Sequence, residues 1–221
     1  IFVSEELRSR GRELLDLTLS DSLVIGGGID KRLFSPPVAS RTLNHAPRVL
    51  FVGNLQPVKG ADRLVPIWQQ VVRQLPDAQL RIVGTGPLAD AINQAHLPGV
   101  VVTGPQTEEG IAEEMGCADM LIVPSRNEGS PTVVWEALAS GLPVLAARVG
   151  GVAAQLADEE WLIDDGPDFE TRFSETLADR LSKRPFDRKP WLARAAHVPD
   201  WDEVVMREMA VYRMVMHSGL R

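Results

Sequence analysis

Two glutamates eight residues apart, Glu128 and Glu136, flank the short turn Gly129-Ser130-Pro131-Thr132. A hydroxyl residue followed by proline opens a helix, with Ser130 expected as the N-cap and Pro131 at the first helical position. The first N–H groups of such a helix lack internal partners, and its dipole stabilises negative charge, so the turn suits an anion. Glu136 falls among Trp135, Ala137 and Leu138. A bare carboxylate in that setting is costly unless it accepts hydrogen bonds. A vicinal diol such as a ribose would satisfy both of its oxygens, the use dinucleotide folds make of an acid. Together the three features describe a site for a ligand that carries an anion and hydroxyl groups.

The surrounding pattern positions these residues at one edge of a sheet. Residues 120–123 (MLIV) and 144–147 (VLAA) are short apolar runs, as expected for strands buried on both faces of a parallel sheet. Gly141 and Pro143 end the helix between them. Earlier strands are expected at 49–52, 80–83 and 100–103, each followed by a polar or glycine-rich loop and, after the first and third, a helical pattern. The first helix carries Leu64, Ile67, Val71 and Leu75 at a period near 3.6 residues, with Pro66 in its first turn or bending it. Thr107-Glu108-Glu109 opens the helix after the third strand. This alternation makes the fold class α/β, a doubly wound parallel sheet (Rossmann-like), whose ligands lie beyond the carboxyl ends of the strands. Lys59, in the loop after the first strand, falls at that edge, as do Asn54, Gly86 and Gln106.

Outside residues 48–184 the pattern is less regular. Residues 1–18 read as a helix capped by Ser4, residues 21–25 as a short strand, and 33–48 as a proline-containing linker. Residues 161–163 read as a last strand and 168–181 as a helix, with Asp168 as its N-cap. Residues 185–200 form a loop, with a short helix at 191–196. A final amphipathic helix at 201–216 puts Trp201, Val205, Met209, Tyr212 and Met216 on one face. The whole chain, 1–221, reads as a single domain: a leading part at 1–47, the core at 48–184, and a C-terminal loop and helix at 185–221.

A net charge of −7 argues against nucleic acid or an anionic membrane as the main partner. The one cysteine, Cys117, excludes an internal disulfide and fits a reducing, cytoplasmic location; a buried, inert thiol is expected. No apolar run reaches the ~18 residues of a spanning helix. The chain starts at Ile1 on a helical pattern and is read as part of a longer protein. Asp164, Asp165 and Asp168 are expected as loop acids before a helix rather than metal ligands. His45, His96, His197 and His217 fall outside every motif.

The run E-G-S-P-x-x-x-x-E from Glu128 to Glu136, followed by ALASGLPV and by V-G-G ending at Gly151, resembles the signature of family 4 (group 1) retaining glycosyltransferases. Those enzymes have the GT-B fold, two Rossmann-like domains across a cleft, and the resemblance is to the C-terminal, donor-binding one over roughly residues 20–217. It implies transfer of a sugar from a nucleotide-diphosphate sugar to an acceptor held by an N-terminal domain absent here. Glu136 would bind the nucleotide ribose. Glu128, the catalytic position, would bind a hydroxyl of the donor sugar. Gly129, Ser130, Pro131 and Thr132 would seat the diphosphate, with Lys59 on the phosphates. Gly86 and Gln106 would border the base. Asn54 stands where many members have a phosphate-binding arginine; Arg126 and Arg148 are candidate substitutes. Val152-Ala153-Ala154 stands where members have Pro-Glu. The resemblance implies no metal and no cofactor beyond the donor, no nucleic acid, and a membrane contact only through the missing domain. Retention could use a nucleophilic carboxylate or same-face attack, and the resemblance favours the second.

Two other readings compete. A non-catalytic sugar-nucleotide-binding or scaffolding module would tolerate Asn54, Ala153 and Ala154. A dinucleotide-binding oxidoreductase domain would use Gly84-Thr85-Gly86 with Ala89 as its fingerprint, against which stand Pro87 and the lack of an acid after Thr103-Gly104.

Overall fold

Val49 and Phe51 point to one side of the sheet and Leu50 to the other, and this alternation divides the core in two. The computed structural model describes residues 1–15, 22–36, 45–184, 186–187 and 189–218. Its centre is a six-stranded, wholly parallel sheet of β1 (Arg48–Val52), β2 (Gln79–Val83), β3 (Val100–Gly104), β4 (Met120–Val123), β5 (Val144–Ala147) and β6 (Leu162–Ile163). The spatial order is β3-β2-β1-β4-β5-β6. The order reverses between β1 and β4, and that switch point opens a crevice at the carboxyl edge. The doubly wound α/β sheet expected from the sequence is therefore present.

Helices α2 (Leu64–Gln74) and α7 (Phe169–Ser182) cover one face. Their Ile67, Trp68, Val71, Phe169, Phe173 and Leu177 meet Val49, Phe51, Ile82, Met120 and Leu145. The other face carries α5 (Thr132–Ala139), α6 (Val152–Leu156) and α8 (Lys189–Ala195). There Val134, Leu138, Val152 and Trp191 pack on Leu50, Leu121, Val123 and Val144. The short α3 (Ala89–Gln94) and α4 (Glu108–Cys117) follow β2 and β3. Thr107 caps α4, its hydroxyl accepting from Gly110 N at 3.2 Å. Pro66 sits in the first turn of α2, where the missing N–H costs nothing.

Several expectations change. The leading helix α1 is described at Glu5–Leu15, and the rest of its predicted span, 16–18, lies outside the described residues. Residues 22–25 form no strand: Val24 makes an isolated bridge with Phe2, because a single residue is its whole pairing partner; position 21 lies outside the described residues. Much of the predicted linker, 37–44, lies outside them as well. Trp161 belongs to a 3-10 turn ahead of β6. Asp168 occupies the N-cap of α7 without a side-chain bond to it. Cys117, expected to be buried, ends α4 on the surface and is exposed. The last helix, α9 (Trp201–Ser218), buries Val204, while all five residues of its predicted apolar face are exposed.

Candidate functional site

The loop after β1 is drawn against the end of β4 by close backbone contact. Gly60 has a φ of +70°, and a Cβ there would stand 2.1 Å from Pro124 O, so the approach requires glycine. Buried Arg63 reinforces it, donating to Pro124 O at 3.0 Å, stacking over the Phe169 ring at 4.0 Å and pairing with Asp165 and Glu170. An arginine between Asp62 and Leu64 gave no sign in the sequence of being interior; its four partners, Pro124, Asp165, Phe169 and Glu170, lie 61 or more residues away.

This apposition brings two predicted site residues into contact. Lys59 Nζ lies 2.7 Å from Glu128 Oε2. Ser125 Oγ donates to Glu128 Oε1, also at 2.7 Å. Glu128 is 8% exposed and Ser125 2%, so the carboxylate is interior with a partner on each oxygen. Such pairing is what keeps a charge at that depth tolerable.

Beside this pair a cleft of about 380 Å³ opens along the carboxyl edge. Asn54, Lys59, Gln106, Pro131, Thr132 and Glu136 line it, with Gly84, Thr85 and Ile111. Glu128, Gly129, Ser130 and Gly86 stand outside the lining. A Cβ on Gly129 would meet Leu7 of α1 at 3.2 Å, and one on Gly86 would meet Leu55 O at 2.7 Å, so both face protein. Among the described residues Glu136 has no positive partner, and its carboxyl is pushed up to about 7, first by burial and then by the charge of Glu108. Trp135 Nε1, next to it in the chain, is buried without a hydrogen-bond partner.

The helix start differs from the expected cap. Pro131, not Ser130, is the N-cap residue of α5, and no side chain caps the helix. Ser130 Oγ instead lies 3.3 Å from the Gln155 amide nitrogen, which also donates to Pro131 O at 3.1 Å. Thr132 and Val133, at the start of α5, line the cleft, and no side chain caps the helix. Beneath them, Gly150 (φ +55°) would place a Cβ 1.6 Å from Glu128 O, and Gly151 N donates to Gly129 O at 3.0 Å. The turn therefore rests on the paired glycines after β5.

The two candidate substitute cations are engaged elsewhere. Arg126 forms a two-pronged pair with Asp62 at 2.6 and 2.7 Å and also donates to Pro57 O. Arg148 pairs with Glu159 and, at 2.7 Å, with Asp164. Neither lines the cleft. Among the described residues no group of three or more His, Cys, Asp or Glu side chains is placed to hold a metal ion.

Comparison with known proteins gives this geometry a context. Residues 46–182 match the family described as glycosyl transferases group 1. The chain is similar to a D-inositol 3-phosphate glycosyltransferase of Kineococcus radiotolerans, 31% identical over 94% of this chain and 55% of the relative. It is 27% identical to a sulfoquinovosyl transferase of Arabidopsis thaliana, over 60% of this chain and 27% of that protein. Among solved structures, sucrose-phosphate synthase of Thermosynechococcus elongatus superposes with a TM-score of 0.81 at 23% identity, covering 98% of this chain and 58% of that one. The chain thus spans about half the length of the first of these curated relatives.

Proposed function

The chain belongs to the group 1 glycosyl transferases, and from that premise we propose that it is the donor-binding half of a retaining glycosyltransferase. The observation that carries the reading is the pairing of an uncapped helix start with an interior carboxyl on one cleft: the Thr132 and Val133 amides and Glu136. A nucleotide-diphosphate sugar answers both. Its diphosphate takes the α5 amides and Lys59, and its ribose diol donates to the Glu136 carboxylate. The base lies toward Thr85, Pro105 and Gln106, which also line the cleft.

Glu128 then faces the sugar. Its carboxylate pairs with Lys59, and an arriving diphosphate competes for that ammonium group. The carboxylate that remains, held by Ser125, accepts from a sugar hydroxyl. Bond cleavage builds charge on the leaving phosphate, where the α5 N-terminus and Lys59 stabilise it without reorganisation. The reading therefore assigns no metal and no cofactor beyond the donor. Same-face attack, with the leaving phosphate taking the acceptor's proton, fits better than a nucleophilic carboxylate. In this reading Ser125 keeps one oxygen of Glu128, and the oxygen that Lys59 releases goes to a sugar hydroxyl rather than to the anomeric carbon.

The acceptor belongs to an N-terminal domain, so the chain alone binds donor and transfers nothing. Cytoplasmic location and membrane contact only through other parts belong to the proposal; no helix among the described residues is long and apolar enough to cross a membrane. Calorimetric titration of UDP, GDP and ADP against this chain tests the reading. One of them should bind, and Glu136→Gln should weaken it roughly 10- to 150-fold through lost charge-assisted bonds. Absence of binding by all three would overturn it.

A further inference from the structure

Helix α6, directly after Gly151, carries no acid, and its one polar side chain is Gln155. Gln155 is 7% exposed. Its amide nitrogen donates to Pro131 O at 3.1 Å and lies 3.3 Å from Ser130 Oγ. Its Oε1 is buried with no hydrogen-bond partner. A leucine or methionine would fill this place without an orphaned acceptor, so burial alone does not account for an amide here.

We infer that Gln155 is a positioning residue for the diphosphate, setting the turn 130–132 so that the first amides of α5 face the cleft. The inference rests on the donor-site reading. Holding the Pro131 carbonyl fixes the 131–132 peptide plane, and in a trans peptide the Thr132 N–H points the opposite way. Thr132 and Val133 both line the cleft. The bond to Ser130, where Oγ accepts, ties the same turn from a residue that stands outside the cleft lining. The other two ties beneath the turn are backbone contacts at Gly150 and Gly151, upstream of the helix start. They seat residues 128–129, whereas Gln155 acts on 130–131. No side chain caps α5; the Pro131 carbonyl is held from within the helix by Val134 N at 3.2 Å and from across the loop by Gln155 at 3.1 Å.

The test compares Gln155→Leu and Gln155→Met with the wild-type chain, using the nucleoside diphosphate that binds best and the same nucleoside without phosphates. Loss of both bonds should weaken the diphosphate about 5- to 30-fold, while the bare nucleoside stays within about twofold by competition titration. In amide spectra, the Thr132 and Val133 signals should move with inorganic diphosphate in the wild type and far less in either variant. A general loosening of the fold would weaken both ligands alike, and that result overturns the inference. So does a diphosphate affinity unchanged in a folded variant. Failure of the wild type to bind any nucleoside diphosphate overturns the donor-site reading and this inference with it. If Gln155→Leu does not fold, Gln155→Met decides by the same measurements.

Discussion

Glu136 should make the stability of the empty domain depend on pH in a direction opposite to most carboxylates. Its carboxyl is held at about 7 against an ordinary 4.5, by burial first and by Glu108 second. The unfolded chain releases this proton near 4.5, whereas the folded chain keeps it until about 7. Between those values the folded state binds the extra proton. The associated stability is therefore fully present below the unfolded value and is lost as the pH rises through the folded one. A displacement of that size corresponds to about 3 kcal/mol. The side chain lines an open cleft, where solvent screens it, so about 2 kcal/mol is the figure to expect. Glu136→Gln removes the titration and nearly keeps the volume. Thermal melts of both proteins between pH 5 and 8.5 isolate the effect, because every other titrating group, the histidines included, is common to the two. The variant should gain on the wild type by about 4–8 °C across that range. A bound nucleoside should shrink the gap by favouring the carboxylate through its hydroxyl donors. A difference between the two melting curves that stays constant with pH would refute the burial argument for this carboxyl.

Three further outcomes are open to measurement. Asn54→Arg places a cation on the cleft lining beside Lys59 and should tighten a nucleoside diphosphate by about 1.5 kcal/mol at low salt, less as salt rises; an unchanged dissociation constant would show that the new side chain points away from the phosphates. Glu128→Gln leaves Lys59 without its carboxylate, so the diphosphate should bind at least as well as before while turnover of the full-length enzyme falls; a loss as large as that of Glu136→Gln would mean the two roles are wrongly divided. Hydrogen exchange should be faster along α9, which buries Val204 and exposes Met206, Tyr212 and Met216, than in β4 and β5, where every residue is buried; uniform protection would contradict this account of its packing.

The parts of the structure that local pattern controls were legible in advance. The apolar runs at 120–123 and 144–147 could be nothing but buried strands, and the turn between Glu128 and Glu136 had to open a helix. What escaped were contacts set by distant partners. Ser130 looked like a cap because serine before proline usually is one, yet Gln155, 25 residues on, takes up its hydroxyl. Arg63 and Ser125 had no local signal, and their roles follow from which loops the sheet order places side by side. The lysine and glutamate that met across the switch point were each foreseen as site residues. Their bond to one another depends on a 69-residue separation that no periodicity reports. The N-terminal segment failed as a strand for a related reason, since pairing requires a partner of matching length.

The exposed face of α9 also divides the chain's sulfur chemistry. Four of its six methionines, Met206, Met209, Met214 and Met216, lie on this helix at 43–78% exposure, whereas Met115 and Met120 are sealed in the core. Thioether oxidation follows access, and each sulfoxide turns an apolar contact into a polar one. Mild peroxide would therefore convert this surface from oily to wet, reaching in addition the exposed thiol of Cys117, while leaving the buried Met115 and Met120 untouched. An apolar surface docked on α9 would lose affinity after such oxidation, and methionine sulfoxide reductases would restore it.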